Sequence, residues 1–145
     1  MDVTYEADYY GWIQQQIALL KSGRLADLDA GNLLEELESL GRSERRALAS
    51  QIARLYLHLL KWQFQPEKRS RSWLISIGEA QDEIEQLLED NPSFRRSLDD
   101  EIARGYALGR RKAARETGLA IDGFPDQAPL SFEEAMAFEG KLDQP

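Results

Sequence analysis

The sequence holds no cysteine, one histidine (His58), five prolines and no apolar run long enough to span a bilayer. Without thiols there is no disulfide scaffold, no cysteine nucleophile and no cysteine-bound zinc. One imidazole and no nucleophile-elbow sequence leave the serines without a base and acid to form a triad. No glycine-rich loop of the phosphate-cradling kind is present. The Glu-x-x-His pairs of carboxylate-bridged metal bundles are missing as well, because Leu55 and Arg54 stand three and four residues before His58. We therefore expect neither a metal nor a cofactor. The stretch Met1 to Asp8 is acidic and lacks the basic start of a signal peptide, so we expect a soluble, cytoplasmic protein.

What is present is charge, unevenly spread. The chain has 145 residues, enough for one domain, and a net charge of −8. Residues 1–41 carry two basic and eight acidic groups and residues 122–145 one basic and six acidic, whereas the middle of the chain is net basic. Overall acidity opposes binding to phosphate backbones, so nucleic acid is an unlikely partner on charge alone. Basic clusters survive locally at Lys68, Arg69 and Arg71 and at Arg110, Arg111, Lys112 and Arg115.

The apolar spacing is helical nearly throughout, with no alternating strand pattern and no repeat. Thr4 or Asp2 caps a first helix with the stripe Tyr9, Ile13, Ile17, Leu20, stopped by Gly23. Asp29 caps a second, whose stripe Leu33, Leu37, Leu40 meets Gly41, a break or a kink. Beyond Ser43 the stripe Leu48, Ile52, Leu55, Leu59, Trp62 repeats at 4-3-4-3 and ends before Pro66. Ser70 or Ser72 caps a third helix (Trp73, Ile77, Ala80, Ile84, Leu87). Asn91-Pro92 opens a fourth (Phe94, Leu98, Ile102, Tyr106, Ala113) that stops at Gly118. After an irregular link, Ser131 caps a short helix from Phe132 to Phe138. The expectation is an all-α, four-helix bundle-like fold with a short C-terminal helix: a bundle domain over residues 1–121, and a link plus docking helix over 122–145.

Several motifs occur together in one order: Trp12, Asn32 through Gly41, His58-Leu59-Leu60-Lys61-Trp62, Gln65-Pro66, Arg69-Ser70-Arg71-Ser72-Trp73 and Pro92-Ser93. In these the chain resembles the bacterial domain of unknown function family 29, from about Tyr5 to the final short helix. The resemblance implies a small all-helical protein and carries no activity with it.

Helical geometry sorts the polar residues by face. At about 100° per residue, Glu36 lies roughly 60° from Leu33, at the edge of its stripe. His58 flanks Leu55, Leu59 and Trp62. Gln16 and Gln81 fall inside the first and third stripes. Glu36, His58, Gln81 and Gln16 are thus the candidate polar core site, because buried polar groups need partners. A carboxylate beside a neutral imidazole is a workable proton relay, and equally an ordinary core hydrogen bond. Arg69, Arg71 and Ser72, at the start of the third helix, are the candidate anion site, or else a cap with solvated cations. Gly105 and Gly109 on the fourth helix make room for a close contact, and that face is the natural acceptor for a ring of the C-terminal helix.

The reading is a small soluble helical protein, a protein-interaction module more readily than an enzyme. Self-association or another protein would be the partner, Phe132, Met136 and Phe138 the apolar contacts, and no membrane is involved. The alternatives are a small enzyme or ligand-binding bundle using Glu36, His58 and Arg71, and an anion or nucleic-acid binder using the basic corner 68–73.

Overall fold

The computed structural model describes residues 4–142. Within them the chain is all-α: α1 (Tyr9–Lys21), α2 (Ala30–Phe64), α3 (Arg71–Asp90), α4 (Leu98–Thr117) and the short α5 (Phe132–Ala137). Single 3-10 turns at Leu25–Asp27, Pro66–Lys68, Pro92–Arg96 and Ile121–Gly123 separate them, and no strand occurs among the described residues. No helix is long and apolar enough to cross a membrane, among the described residues.

The helix ends follow from local chemistry. Asp8, rather than Thr4, caps α1, its Oδ1 accepting from the Gly11 amide at 3.0 Å. Thr4 instead closes the preceding turn by accepting from the Ala7 amide; Asp2 lies outside the described residues. Gly23 follows α1 at φ +75°, a conformation a side chain resists. Gly41 does not interrupt α2, which runs 35 residues without a break. A mid-helix glycine costs only about 1 kcal/mol, and the residues on both sides favour helix. Ser70 is the cap of α3, accepting from the Trp73 amide. The Asn91-Pro92 pair opens a 3-10 turn, not a helix, and α4 starts after Ser97. Proline at a first position suits either kind of turn, so the dipeptide marks a start without setting its pitch. Ser131 and Glu134 form a reciprocal capping box at α5.

The chain divides into two compact units, Met1–Ser43 and Glu44–Pro145, and α2 contributes to both.

In the first unit α1 and the start of α2 form a hairpin. Gln16 meets Asp29, and Tyr9, earlier in α1, meets Glu36, later in α2. That reversed order is the signature of antiparallel neighbours.

The second unit holds the core. Leu48, Ile52, Leu55, Leu59 and Trp62, the 4-3 stripe of α2, are all buried. They pack with Ile77, Ala80, Ile84 and Leu88 of α3 and with Tyr106 and Ala113 of α4. Gly105 and Gly109 let α4 press on α2. A Cβ on Gly105 would stand 2.5 Å from Ile52 Cγ2, and one on Gly109 2.7 Å from the Ala53 carbonyl oxygen.

The C-terminal segment is fastened to this same unit. Phe124 is buried and packs edge-on against Phe64. Tyr106 donates to the Pro125 carbonyl at 2.6 Å, Arg110 to that of Phe124, and Tyr56 to that of Leu130. Gln81 donates to the carbonyls of both Ala135 and Phe138. Phe132, Met136 and Phe138 lie half-buried against the core, so they are docked within the chain and are not free contacts. The glycine face of α4 is not their seat, because α2 already occupies it.

Candidate functional site

The first unit is built around three rings. Tyr5, Tyr9 and Trp12 stand one helical turn apart in sequence and pack together, Tyr5 edge-on to both of the others. Trp12 is buried and donates its indole proton to Asp29 Oδ2 at 2.9 Å. Asp29 caps α2 and also accepts from the Asn32 side chain, while its own amide donates to Gln16 Oε1 at 2.9 Å. These bonds, that of the Asn32 side chain first and the indole second, hold the Asp29 carboxyl below its usual range. Gln16 is buried with its carbonyl so used.

Glu36 receives two phenols. Tyr5 donates to one carboxylate oxygen and Tyr9 to the other, the latter at 2.6 Å. Hydrogen bonds to the charged form, that of Tyr5 foremost, lower the Glu36 carboxyl below its usual value. The same bond pushes the Tyr5 phenol up to about 12, and Tyr9 is raised for the same reason.

Beside this clamp the hairpin leaves an apolar groove of about 230 Å³. Trp12 and Gln16 are its buried residues, Ile13 and Leu33 its half-buried walls, and Ile17, Leu20, Leu37 and Leu40 its exposed rim. The stripes read as core-facing in sequence are therefore largely open here: Leu37 is 64% and Leu40 62% exposed. Helical spacing identifies the apolar face, but it does not say what covers it.

The other candidates have separate partners. His58 is half-buried, in the second unit, and its Nδ1–H donates to the Arg54 carbonyl of its own helix at 2.8 Å. Burial lowers its pKa below the usual value. Gln81 serves the C-terminal segment, as described. Gln16, Glu36, His58 and Gln81 are thus each hydrogen-bonded, and to different groups.

At the basic corner Arg69 donates to the Trp62 carbonyl at 2.8 Å, with its guanidinium 4.8 Å from the centre of the Trp62 ring. Lys61 lies 4.9 Å from the Trp73 ring centre and pairs with Glu116. Arg71 and Ser72 are exposed, and Trp73 is only half-buried. Among the described residues no group of three or more His, Asp or Glu side chains is placed to hold a metal ion.

Sequence reasoning placed Tyr9 on a stripe and Asp29 at a cap, but missed them, and Tyr5 with them, as partners of Glu36 and Trp12. The available signal was the 4-3 spacing of Tyr5, Tyr9 and Trp12, although Tyr5 lies in the turn before α1 and not on its face.

Neither a curated protein nor a solved structure matches the chain. A family model does, over residues 4–139, which takes in both units and all five helices. The chain belongs to that family, the domain of unknown function DUF29.

Proposed function

We propose that the protein is an interaction module and that its contact surface is the apolar groove of the first unit. The observation that carries this reading is the exposure of Leu37 and Leu40, 64% and 62%, on the rim of a groove lined almost wholly by apolar side chains. Leaving such a face in water forgoes roughly 25 cal/mol for each Å² of it. Contiguous apolar patches on soluble proteins mark contact sites. The C-terminal aromatics offer no competing surface, because the second unit takes them up.

The groove suits an apolar helix face. Its walls are two neighbouring helices, and side chains at i, i+3 and i+4 of an incoming helix fit the channel between them. The carboxylate at its edge, Glu36, accepts from Tyr5 and Tyr9, so docking there leaves neither of its oxygens without a donor. The reading as a small enzyme on Glu36, His58 and Arg71 draws less support. Glu36 is engaged by two phenols, and the His58 proton is used within its own helix.

The test is calorimetric titration with a synthetic amphipathic helix bearing leucines at 4-3 spacing. The wild-type chain should bind it. The double variant Leu37→Glu, Leu40→Glu should lose binding while keeping its helical circular dichroism, since both positions face solvent. Equal binding by both proteins would place the contact elsewhere and refute the proposal.

A further inference from the structure

The occupant of the groove follows from three properties of its rim. The first is shape. Ile13, Ile17 and Leu20 on α1 and Leu33, Leu37 and Leu40 on α2 repeat the same 4-3 interval. Two neighbouring helices with that spacing on one open face are half of a four-helix bundle. The surface also contains both protrusion and recess, the exposed Leu20, Leu37 and Leu40 beside a channel floored by buried Trp12 and Gln16. A two-fold contact needs this kind of patch, because each copy must present both knob and hole.

The second property is charge. Residues 1–41 are strongly acidic, yet α1 contains no aspartate or glutamate. Of the three glutamates in the first turns of α2, Glu36 is clamped by tyrosines. Glu35 and Glu38 lie about 200° and 140° around the helix from Leu33, on the side away from the groove. Glu35 and Glu38 are therefore carried where a face-to-face pairing leaves them in water, and the seam holds one carboxylate per copy, Glu36, at its edge with a phenol on each oxygen. A basic partner would find only this one carboxylate, its two oxygens already accepting from Tyr5 and Tyr9.

The third is area. The exposed fractions of Tyr9, Ile17, Leu20, Leu37 and Leu40 amount to roughly 500 Å² on one copy, so two copies would bury up to about 1,000 Å², the minimum for a weak specific interface.

From these we infer that the groove's occupant is a second copy of the chain, the two hairpins closing into an intermolecular four-helix bundle. This rests on the reading of the groove as a contact surface. The dimer is modest in area, so its formation is concentration-dependent. Its acidic outer faces repel, so added salt tightens it, whereas a contact built on opposite charges would loosen.

Sedimentation equilibrium of the full chain over a wide concentration range, at low and high salt, tests the inference. The expected result is a monomer–dimer equilibrium that strengthens with salt. Leu37→Glu with Leu40→Glu should weaken it by about 100-fold or more, because both substitutions put a charge on the apolar rim that the second copy would cover. Gln63→Glu, an exposed substitution in the second unit, should leave it unchanged. A wild-type chain that stays monomeric throughout, yet binds the amphipathic helix, overturns self-pairing and keeps the groove as a site for another protein. A monomer that binds no helix overturns both. A dimer indifferent to the leucine substitutions, or one that salt dissolves, overturns the proposed seam.

Discussion

Replacing Gly109 by alanine adds one methyl group where α4 meets α2. That carbon would lie 2.7 Å from the Ala53 carbonyl oxygen, 3.2 Å from the Leu57 amide nitrogen and 3.3 Å from Tyr56 Cβ. Comfortable separations are about 3.5–4.0 Å. The obstructing atoms are backbone and Cβ, so no rotamer change relieves the clash, and α4 must retreat by roughly 0.5–1 Å. A shift of that size forfeits a quarter to a half of the dispersion energy of the contacts it opens. Overpacking of this kind costs about 1–3 kcal/mol. Alanine's better fit to a helix returns about 0.5–1 kcal/mol, leaving a net loss of up to about 2.5 kcal/mol and about 1 kcal/mol at mid-range. Gly78 provides the control. It too lies in a helix of the second unit, α3, but a Cβ there meets nothing within 4 Å. Gly78→Ala should therefore stabilise by about 0.5–1 kcal/mol. Urea denaturation followed by far-ultraviolet circular dichroism reads both. The same substitution should move the midpoint down at Gly109 and up at Gly78. Shifts of the same sign and size would refute the close approach of α4 to α2.

Phe124→Ala should cost about 3–5 kcal/mol, because the ring is buried against Phe64. Limited proteolysis should then cut between residues 124 and 138, where the wild type resists. Glu36 has a folded pKa below its ordinary value of 4.5, so the unfolded chain takes up the proton first. The clamp's contribution is whole above that ordinary value and is lost as pH falls towards the lower folded one, and Glu36→Gln should flatten this part of the pH–stability curve. His58 is shifted in the same direction by burial. Its contribution is whole above pH 6.5 and declines below it, and the sole imidazole resonance in a proton spectrum should titrate below 6.5.

Periodicity made the second unit legible. Leu48, Ile52, Leu55, Leu59 and Trp62 lie on one face, and that face is buried. The same interval at Leu33, Leu37 and Leu40 misled, since an apolar stripe has the same spacing whether its cover is in the chain or outside it. Glycines were ambiguous for a related reason. Gly23 and Gly118 have positive φ and follow helices, but Gly41 is simply helical, and only the backbone angle distinguishes the cases. The small pair Gly105 and Gly109 indicated a close contact, yet the contacting element was α2 and not the C-terminal ring. The polar candidates were read at the edges of apolar stripes (Glu36, His58) or inside them (Gln16, Gln81), but their partners were out of reach of the argument. Phenols from before and within α1 reach Glu36, and main-chain carbonyls receive His58 and Gln81. Carbonyl partners leave no trace in side-chain spacing.

The central claim is that the free apolar surface lies on the N-terminal hairpin while the C-terminal helix is docked. Because the chain has no cysteine, a single introduced thiol reports on one position alone. The measurement is the labelling rate of Leu37→Cys and of Met136→Cys in separate proteins, followed as the concentration of added wild-type chain rises. Leu37→Cys should react at nearly the rate of a free thiol when dilute and slow as the second copy covers it, while Met136→Cys should be slow throughout. A slow Leu37→Cys at the lowest concentration, or a Met136→Cys that reacts as fast, would contradict the account.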